Sequence, residues 1–259
     1  KDGNKFVDEA LKKGACLAIV NRLDKSQHKT KQLKVKNTLD FLTKTSQIIR
    51  QNSFSKIIAI TGSCGKTSLK ELLKETLNKF GKASYSPKSF NNKFGVPLSL
   101  FNLNLSDDYG VFEVGMDKKG EIDSLSKIIK PDIGIITNIS FAHVRNFKNI
   151  RQIAMAKAEI INNINSGGSI ILNADDHFFN LHKKIAQRKK LKIISFSMNK
   201  KTDIHLKSIK KEKQKFKIFI IINNKNKIFY TYNNFTNFIK NLLGVVSIIS
   251  VFKDPTKLN

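Results

Sequence analysis

Cysteine, proline and acidic side chains are all scarce in this chain, with 2 Cys, 4 Pro and 20 Asp plus Glu among 259 residues. So few cysteines exclude a disulfide-dense secreted scaffold, and Cys16 and Cys64 are expected as free thiols in a reducing compartment. The composition, 40% hydrophobic and 26% charged, is neither collagen-like nor that of a disordered tail. No apolar run reaches the roughly eighteen residues that a membrane-spanning helix needs. The opening KDGNKFVDEA lacks the apolar core of a signal peptide, so the expected compartment is the cytoplasm.

The shortage of acids leaves 47 Lys plus Arg barely opposed, a formal net charge of +27. Such an excess suits a nucleic-acid or membrane-surface protein. Here, however, the lysines run through every segment beside Asn and Ile and form no single stripe interleaved with aromatics. A lysine-rich surface is the simpler reading. Neither nucleic acid nor membrane is expected as a partner, and the expected state is a monomer.

Residues 1–52 read as a helix (Phe6 to Lys13), a strand (Cys16 to Val20), a polar loop, a strand (Leu33 to Val35) and a helix (Thr38 to Arg50). These are too few elements for a complete domain, so the tail of a first domain is expected there. From Lys56 apolar strands alternate with amphipathic helices, a pattern that demands a mostly parallel sheet covered on both faces. Strands are expected at Lys56 to Ile60, Ala83 to Ser86, Tyr109 to Val114, Ile133 to Thr137, Ser169 to Asn173 and Lys192 to Phe196. Three further β-like runs, Ile204 to Ile209, Phe216 to Ile222 and Ile228 to Tyr232, suggest an antiparallel extension in which Asn223 to Lys227 joins the last two. A helix from Thr236 to Phe252 follows. The expectation is an α/β protein, with residues 53–259 as its second domain.

The chemistry concentrates in IIAITGSCGKTS, Ile57 to Ser68, where an apolar strand enters a glycine loop and then the helix expected from Leu69 to Phe80. Gly62 and Gly65 let backbone N–H groups turn toward an anion, and the helix N-terminus adds its partial positive charge. Lys66 would reach β- and γ-phosphates, and Thr67 would place a hydroxyl on Mg²⁺. The pattern G-x-x-x-x-G-K-[ST] is incomplete, because Ile60 stands where its first Gly would be.

A phosphate loop needs an acid for its metal at the end of a neighbouring strand. In YGVFEVGM only Glu113 is charged, so it reads either as a cation ligand or as a carboxylate paired with a nearby lysine. The next strand ends at Thr137 and Asn138, and His143 follows in a loop, where it could complete a metal or phosphate shell. In the helix Asn149 to Asn165, Lys157 falls inside the apolar stripe of Ile150, Ile153, Ala154, Ile160, Ile161 and Ile164. Such a lysine either snorkels or carries a depressed pKa that would let it form a carbamate with CO₂, and snorkelling is the simpler reading.

TGSCGKTS, NNKFGVP (Asn91 to Pro97), EVGM (Glu113 to Met116), TNISFAH (Thr137 to His143) and AKAEI (Ala156 to Ile160), in this order, resemble the Mur ligase superfamily. Within it they are most similar to the branch that joins D-alanyl-D-alanine to UDP-N-acetylmuramoyl-tripeptide. The resemblance implies ATP and Mg²⁺ as cofactors, and amide formation through an acyl phosphate. It implies that Gly62, Ser63, Cys64, Gly65, Lys66, Thr67 and Ser68 hold the triphosphate, that Thr67 and Glu113 bind one Mg²⁺, and that Glu113 and His143 serve a second. Lys157 matches a lysine that is carbamylated in related ligases, so the resemblance turns the expectation from snorkelling to a carbamate that serves as a further metal ligand. Lys66, Lys157 and His143 are thus the expected catalytic residues.

Asn91 and Asn92 match a substrate loop, Asn138 a position near the nucleotide, and Asn241 the last Asn of an adenine motif in which Phe235 and Asn237 replace Gly and His. By the same resemblance residues 1–52 end a UDP-sugar-binding domain, residues 53–259 are the central ATPase domain, and the ligase family's third domain lies outside this chain. A chain so composed is expected to bind nucleotide weakly and to ligate nothing unaided. Other members of the superfamily, adding a single amino acid or extending folate with glutamate, are the nearest alternative, and a basic nucleic-acid-binding phosphate-loop module is a more distant one.

Overall fold

The computed structural model describes residues 2–23, 29–141 and 146–253. Near its start, α1 (Val7–Lys12) packs on a parallel pair of short strands, β1 (Ala18–Val20) and β2 (Gln32–Lys34), around Val7, Leu11 and Val20. This core is small and separate from the rest. The next helix, α2 (Thr38–Asn52), begins where Asn37 Oδ1 accepts from the Leu39 and Asp40 amides, at 2.9 and 3.2 Å, giving partners to two N–H groups that a helix start leaves orphaned. Although it lies before the expected boundary at residue 53, α2 docks on the main body against α4 (Gly95–Phe101) and α5 (Glu121–Ile129). At its far end Arg50 donates to the Ile129 and Lys130 carbonyls, each at 2.8 Å, and so closes the C-terminus of α5.

Beyond α2 the chain alternates β3 (Lys56–Thr61), α3 (Lys66–Leu77), β4 (Ala83–Tyr85), α4, β5 (Tyr109–Glu113), α5, β6 (Ile133–Ile136), α6 (Ile150–Ala158), β7 (Ser169–Asn173), α7 (Phe179–Arg188) and β8 (Lys192–Ser197). β9 (Ile204–Glu212), β10 (Lys215–Ile222), β11 (Lys225–Thr231) and α8 (Thr236–Ile249) follow. One sheet of nine strands results, in the order β11-β10-β9-β8-β7-β6-β3-β5-β4. All neighbours from β4 to β9 run parallel, and only the β9–β10 and β10–β11 pairs are antiparallel. The extension is therefore continuous with the main sheet.

Strand alternation divides the interior into two layers. In β3, Ile57 and Ala59 point into the cluster with Val96, Leu125 and Ile153, while Ile58 and Ile60 join Leu69, Leu73 and Leu243 on the opposite face. Three local expectations need correction. Helix α3 starts at Lys66, three residues before Leu69, because Gly65 in the left-handed region lets the Lys-Thr-Ser segment form its first turn. The β10–β11 turn is two residues long, not five: Asn223 and Asn224 both take positive φ, 47° and 67°, and Lys225 already pairs with Ile222. Helix α6 ends at Ala158 and tightens into a 3₁₀ segment, Glu159–Asn163. Among the described residues no helix is long and apolar enough to cross a membrane.

Candidate active site

The carboxyl ends of β3, β5 and β6 meet at the loop between β3 and α3. The end of β6 props that loop open by a dense set of bonds. Thr137 Oγ1 donates to the Cys64 carbonyl at 2.8 Å, the Cys64 amide donates to Asn138 Oδ1 at 2.9 Å, and the Ser63 amide donates to the Asn138 carbonyl at 3.0 Å. Ser140 N adds a bond to Ser63 Oγ at 2.9 Å. Gly62 is required here, since a Cβ would fall on Thr137 Oγ1. The first amide to find an acceptor in the helix pattern is Leu69 N, bonded to the Gly65 carbonyl at 2.9 Å. The amides of Lys66, Thr67 and Ser68 lie in the first turn, where a helix offers no partner, and the macrodipole favours an anion in front of them.

Two lysines and one carboxylate surround this turn. Lys66 Nζ and Lys157 Nζ both donate to the Gly62 carbonyl, at 2.9 and 3.0 Å. Lys157 is only 1% exposed, so the snorkelling reading fails: its ammonium is directed inward to the Gly62 carbonyl and not to water. Burial, with the charge of Lys66 as a second cause, lowers the Lys157 pKa to about 7. The Lys66 pKa is lowered as well, again chiefly by burial, with Glu113 opposing the shift. Glu113, fully buried at the end of β5, accepts from Thr67 Oγ1 through Oε2 at 3.2 Å. Its Oε1 is ion-paired with Lys70 Nζ at 3.1 Å without a formal hydrogen bond, and two of the three Lys70 protons go to the Ser86 and Lys88 carbonyls. Of the two readings of Glu113, the pairing with a nearby lysine is what the structure shows.

Asn91 and Asn92 line, with Lys66, Phe94, Met116 and Lys119, a cleft of about 800 Å³ beside the phosphate loop. The Asn92 side chain has a structural task, accepting from the Phe94 and Gly95 amides at 3.0 and 2.9 Å to start α4. The Asn91 carbonyl takes the Gly115 amide at 2.8 Å. Asn138 likewise serves the loop itself. Asn241 on α8 places Oδ1 3.4 Å from where a Cβ on Gly65 would stand, next to the phosphate loop. Phe235 and Asn237 are exposed at the start of α8, and Ser68 is exposed at the start of α3. His143 lies outside the described residues. Sequence reasoning missed Lys70 and Thr137. Lys70 carried a readable signal, because it falls among Leu69, Leu73 and Leu77 on the buried side of α3, as Lys157 does on α6.

Residues 60–248 match the sequence profile of the Mur ligase middle domain. The chain belongs to the Mur ligase family. The Mur ligase relative from Rickettsia prowazekii, a UDP-N-acetylmuramoyl-tripeptide–D-alanyl-D-alanine ligase, is 35% identical over 255 residues, covering 97% of this chain and 56% of its own. MurF from Acinetobacter baumannii superposes with a TM-score of 0.85 at 28% identity, over 98% of this chain and 55% of its own. A second Mur ligase structure, MurF from Thermotoga maritima in complex with ADP, has a TM-score of 0.84 at 24% identity, over 99% and 59%. This Mur ligase chain spans about half the length of the curated relatives it matches.

Proposed function

We propose that this chain carries the nucleotide half of an ATP-dependent ligase that joins D-alanyl-D-alanine to UDP-N-acetylmuramoyl-tripeptide in peptidoglycan precursor synthesis. Residues 1–52 would close a UDP-sugar-binding domain, and residues 53–259 would form the central ATPase domain. A cytoplasmic monomer fits this reading. The observation that carries it is the convergence of Lys66, Thr67, Glu113 and Lys157 on a helix N-terminus at the carboxyl edge of a parallel sheet. The names of the Rickettsia and Acinetobacter proteins favour the dipeptide-adding chemistry over the other ligases of the superfamily.

In this reading the first-turn amides and Lys66 bind the β- and γ-phosphates, Thr67 and Glu113 hold Mg²⁺, and Asn241 lies toward the nucleoside. Glu113 Oε2 and the Thr67 hydroxyl bonded to it would fit a hard cation, which would take its remaining ligands from phosphate and water, while Lys70 faces Oε1. When bound there, Mg²⁺ would supply neutralisation of the phosphate charge. A carboxylate oxygen of the tripeptide attacks the γ-phosphorus, ADP leaves, and the dipeptide amine then displaces phosphate from the acyl carbon while losing a proton. The protein's part is positioning and charge balance. Asn91, Asn92 and the cleft they line would receive the acceptor peptide. Lys157, whose lowered pKa leaves much of the amine neutral near pH 7, suits carbamate formation: its lone pair bonds the carbon of CO₂ and a proton departs. The product would replace a cation crowded against Lys66 with an anion. His143 would serve a second metal.

Fluorescent ADP should bind the purified chain in the presence of Mg²⁺, and Lys66→Ala should abolish binding while far-UV circular dichroism stays unchanged. Equal affinity in the substituted protein would overturn the assignment.

A further inference from the structure

Lys70 is as deeply buried as Lys157, at 1% exposure, and no step above uses it. From α3 its ammonium reaches two other parts of the chain, the 86–92 segment and the end of β5. It donates to the Ser86 carbonyl at 2.8 Å and the Lys88 carbonyl at 2.5 Å, and it stands 3.1 Å from Glu113 Oε1. A further carboxylate, from the half-exposed Glu71, lies 3.4 Å away.

A buried ion pair is a weak source of stability, because desolvating two charges costs about as much as their attraction returns. A lysine kept in such a place calls for another explanation. The segment it grips supplies one. Ser86 Oγ accepts from the Glu113 amide at 3.1 Å, and Ser89 Oγ lies 3.5 Å from Thr67 Oγ1. Two residues on, Asn91 and Asn92 enter the wall of the cleft. Lys88 holds a φ of 47°, a conformation rarely adopted by residues other than glycine, and its carbonyl faces the ammonium. One cation thus ties the phosphate-loop helix, the acid of β5 and the 86–92 segment into a single unit.

We infer that Lys70 is a positioning residue that holds Glu113 and the 86–92 segment in register with Thr67, so that Glu113 Oε2, Thr67 Oγ1 and Ser89 Oγ are arranged in advance for the metal of a bound nucleotide. The Ser89 hydroxyl is the further oxygen this arrangement offers. The inference rests on the nucleotide reading above, and it concerns residues that orient a metal ligand and never touch the reacting atoms.

The test compares Lys70→Met, Glu113→Gln and the double variant with the unsubstituted chain by two measurements. The first is ADP affinity with Mg²⁺ and with EDTA. Lys70→Met should lose about ten- to a hundredfold in the Mg²⁺-supported affinity, as outer-shell substitutions do at metal sites, with little change in EDTA. The double variant should be no weaker than Glu113→Gln. The second is amide exchange over residues 86–92 without ligand, which Lys70→Met should accelerate. Should Lys70→Met melt below the assay temperature, Lys70→Gln removes the charge, keeps a donor and is read in the same way. Full Mg²⁺-supported affinity in a folded variant, additive losses in the double variant, or unchanged exchange would each overturn the inference. Failure of the unsubstituted chain to bind ADP under either condition would instead remove the nucleotide reading and take the metal role with it, and only the exchange result would then remain to judge the tether.

Discussion

At the scale of single residues, the Gly62 carbonyl is where the site concentrates its electrostatics. Two ammonium groups share that one oxygen, and both are held below the ordinary lysine pKa, Lys157 the further. The consequence for stability has a definite sign. The Lys157 pKa is about 7 in the folded chain against an ordinary 10.5, so between those values the unfolded chain binds more protons. Folding stability therefore gains a rising component as pH climbs through that window, and Lys157→Met should lack it. Urea midpoints for the two proteins in CO₂-depleted buffer at several pH values from neutral upward would check this, and parallel curves would contradict it. Adding ¹³C-bicarbonate at the alkaline end should produce a carbamate carbon resonance in the unsubstituted chain alone.

At the scale of elements, helix ends carry much of the organisation. α2 is fastened at both ends, by the Asn37 side chain at its start and by Arg50 reaching the last carbonyls of α5 at its finish. Asn37→Ala should cost about 1 kcal/mol, the usual loss for an N-cap of this type, measurable as a lowered urea midpoint with unchanged m-value. An unaltered midpoint would mean that tertiary packing alone holds the start of α2. The strands were more legible than their partners. Continuous apolar runs such as IIAI and IGII announce strands buried on both faces, whereas their order in the sheet is written nowhere locally. The two-residue turn at Asn223 and Asn224 escaped because the lysines after it look like loop while alternating as an exposed edge strand.

At the scale of the whole molecule, part of the charge of +27 lies against aromatic rings. In the antiparallel extension Lys210 and Lys217 lie over the Phe219 ring, Lys217 also over Tyr230, and Lys215 over Tyr232. Cross-strand pairing gathers them, since Lys217 lies directly opposite both Lys210 and Tyr230. This edge is far in strand order from the phosphate loop, which follows β3 near the other side of the sheet. Contacts of this exposed kind favour polyanions only through screened charge. Affinity for single-stranded nucleic acid in a filter-binding titration should fall by orders of magnitude between about 50 and 200 mM salt. Retention of tight binding at the higher concentration would revive the nucleic-acid reading.

The sequence by itself determined the strand, loop and helix around Lys66, the isolated acid at Glu113 and the inward lysine of α6, because backbone freedom at glycine and the periodicity of apolar residues act over a few neighbours. It also determined the family, through short runs kept in order. Only the tertiary structure decided how deep Lys157 lies, that Lys70 faces Glu113, and that Thr137 and Asn138 brace the phosphate loop. Those contacts join residues as far apart as 95 positions, as between Gly62 and Lys157. They depend on which strands lie side by side and how closely the helices settle on them, and these are outcomes of packing the whole chain.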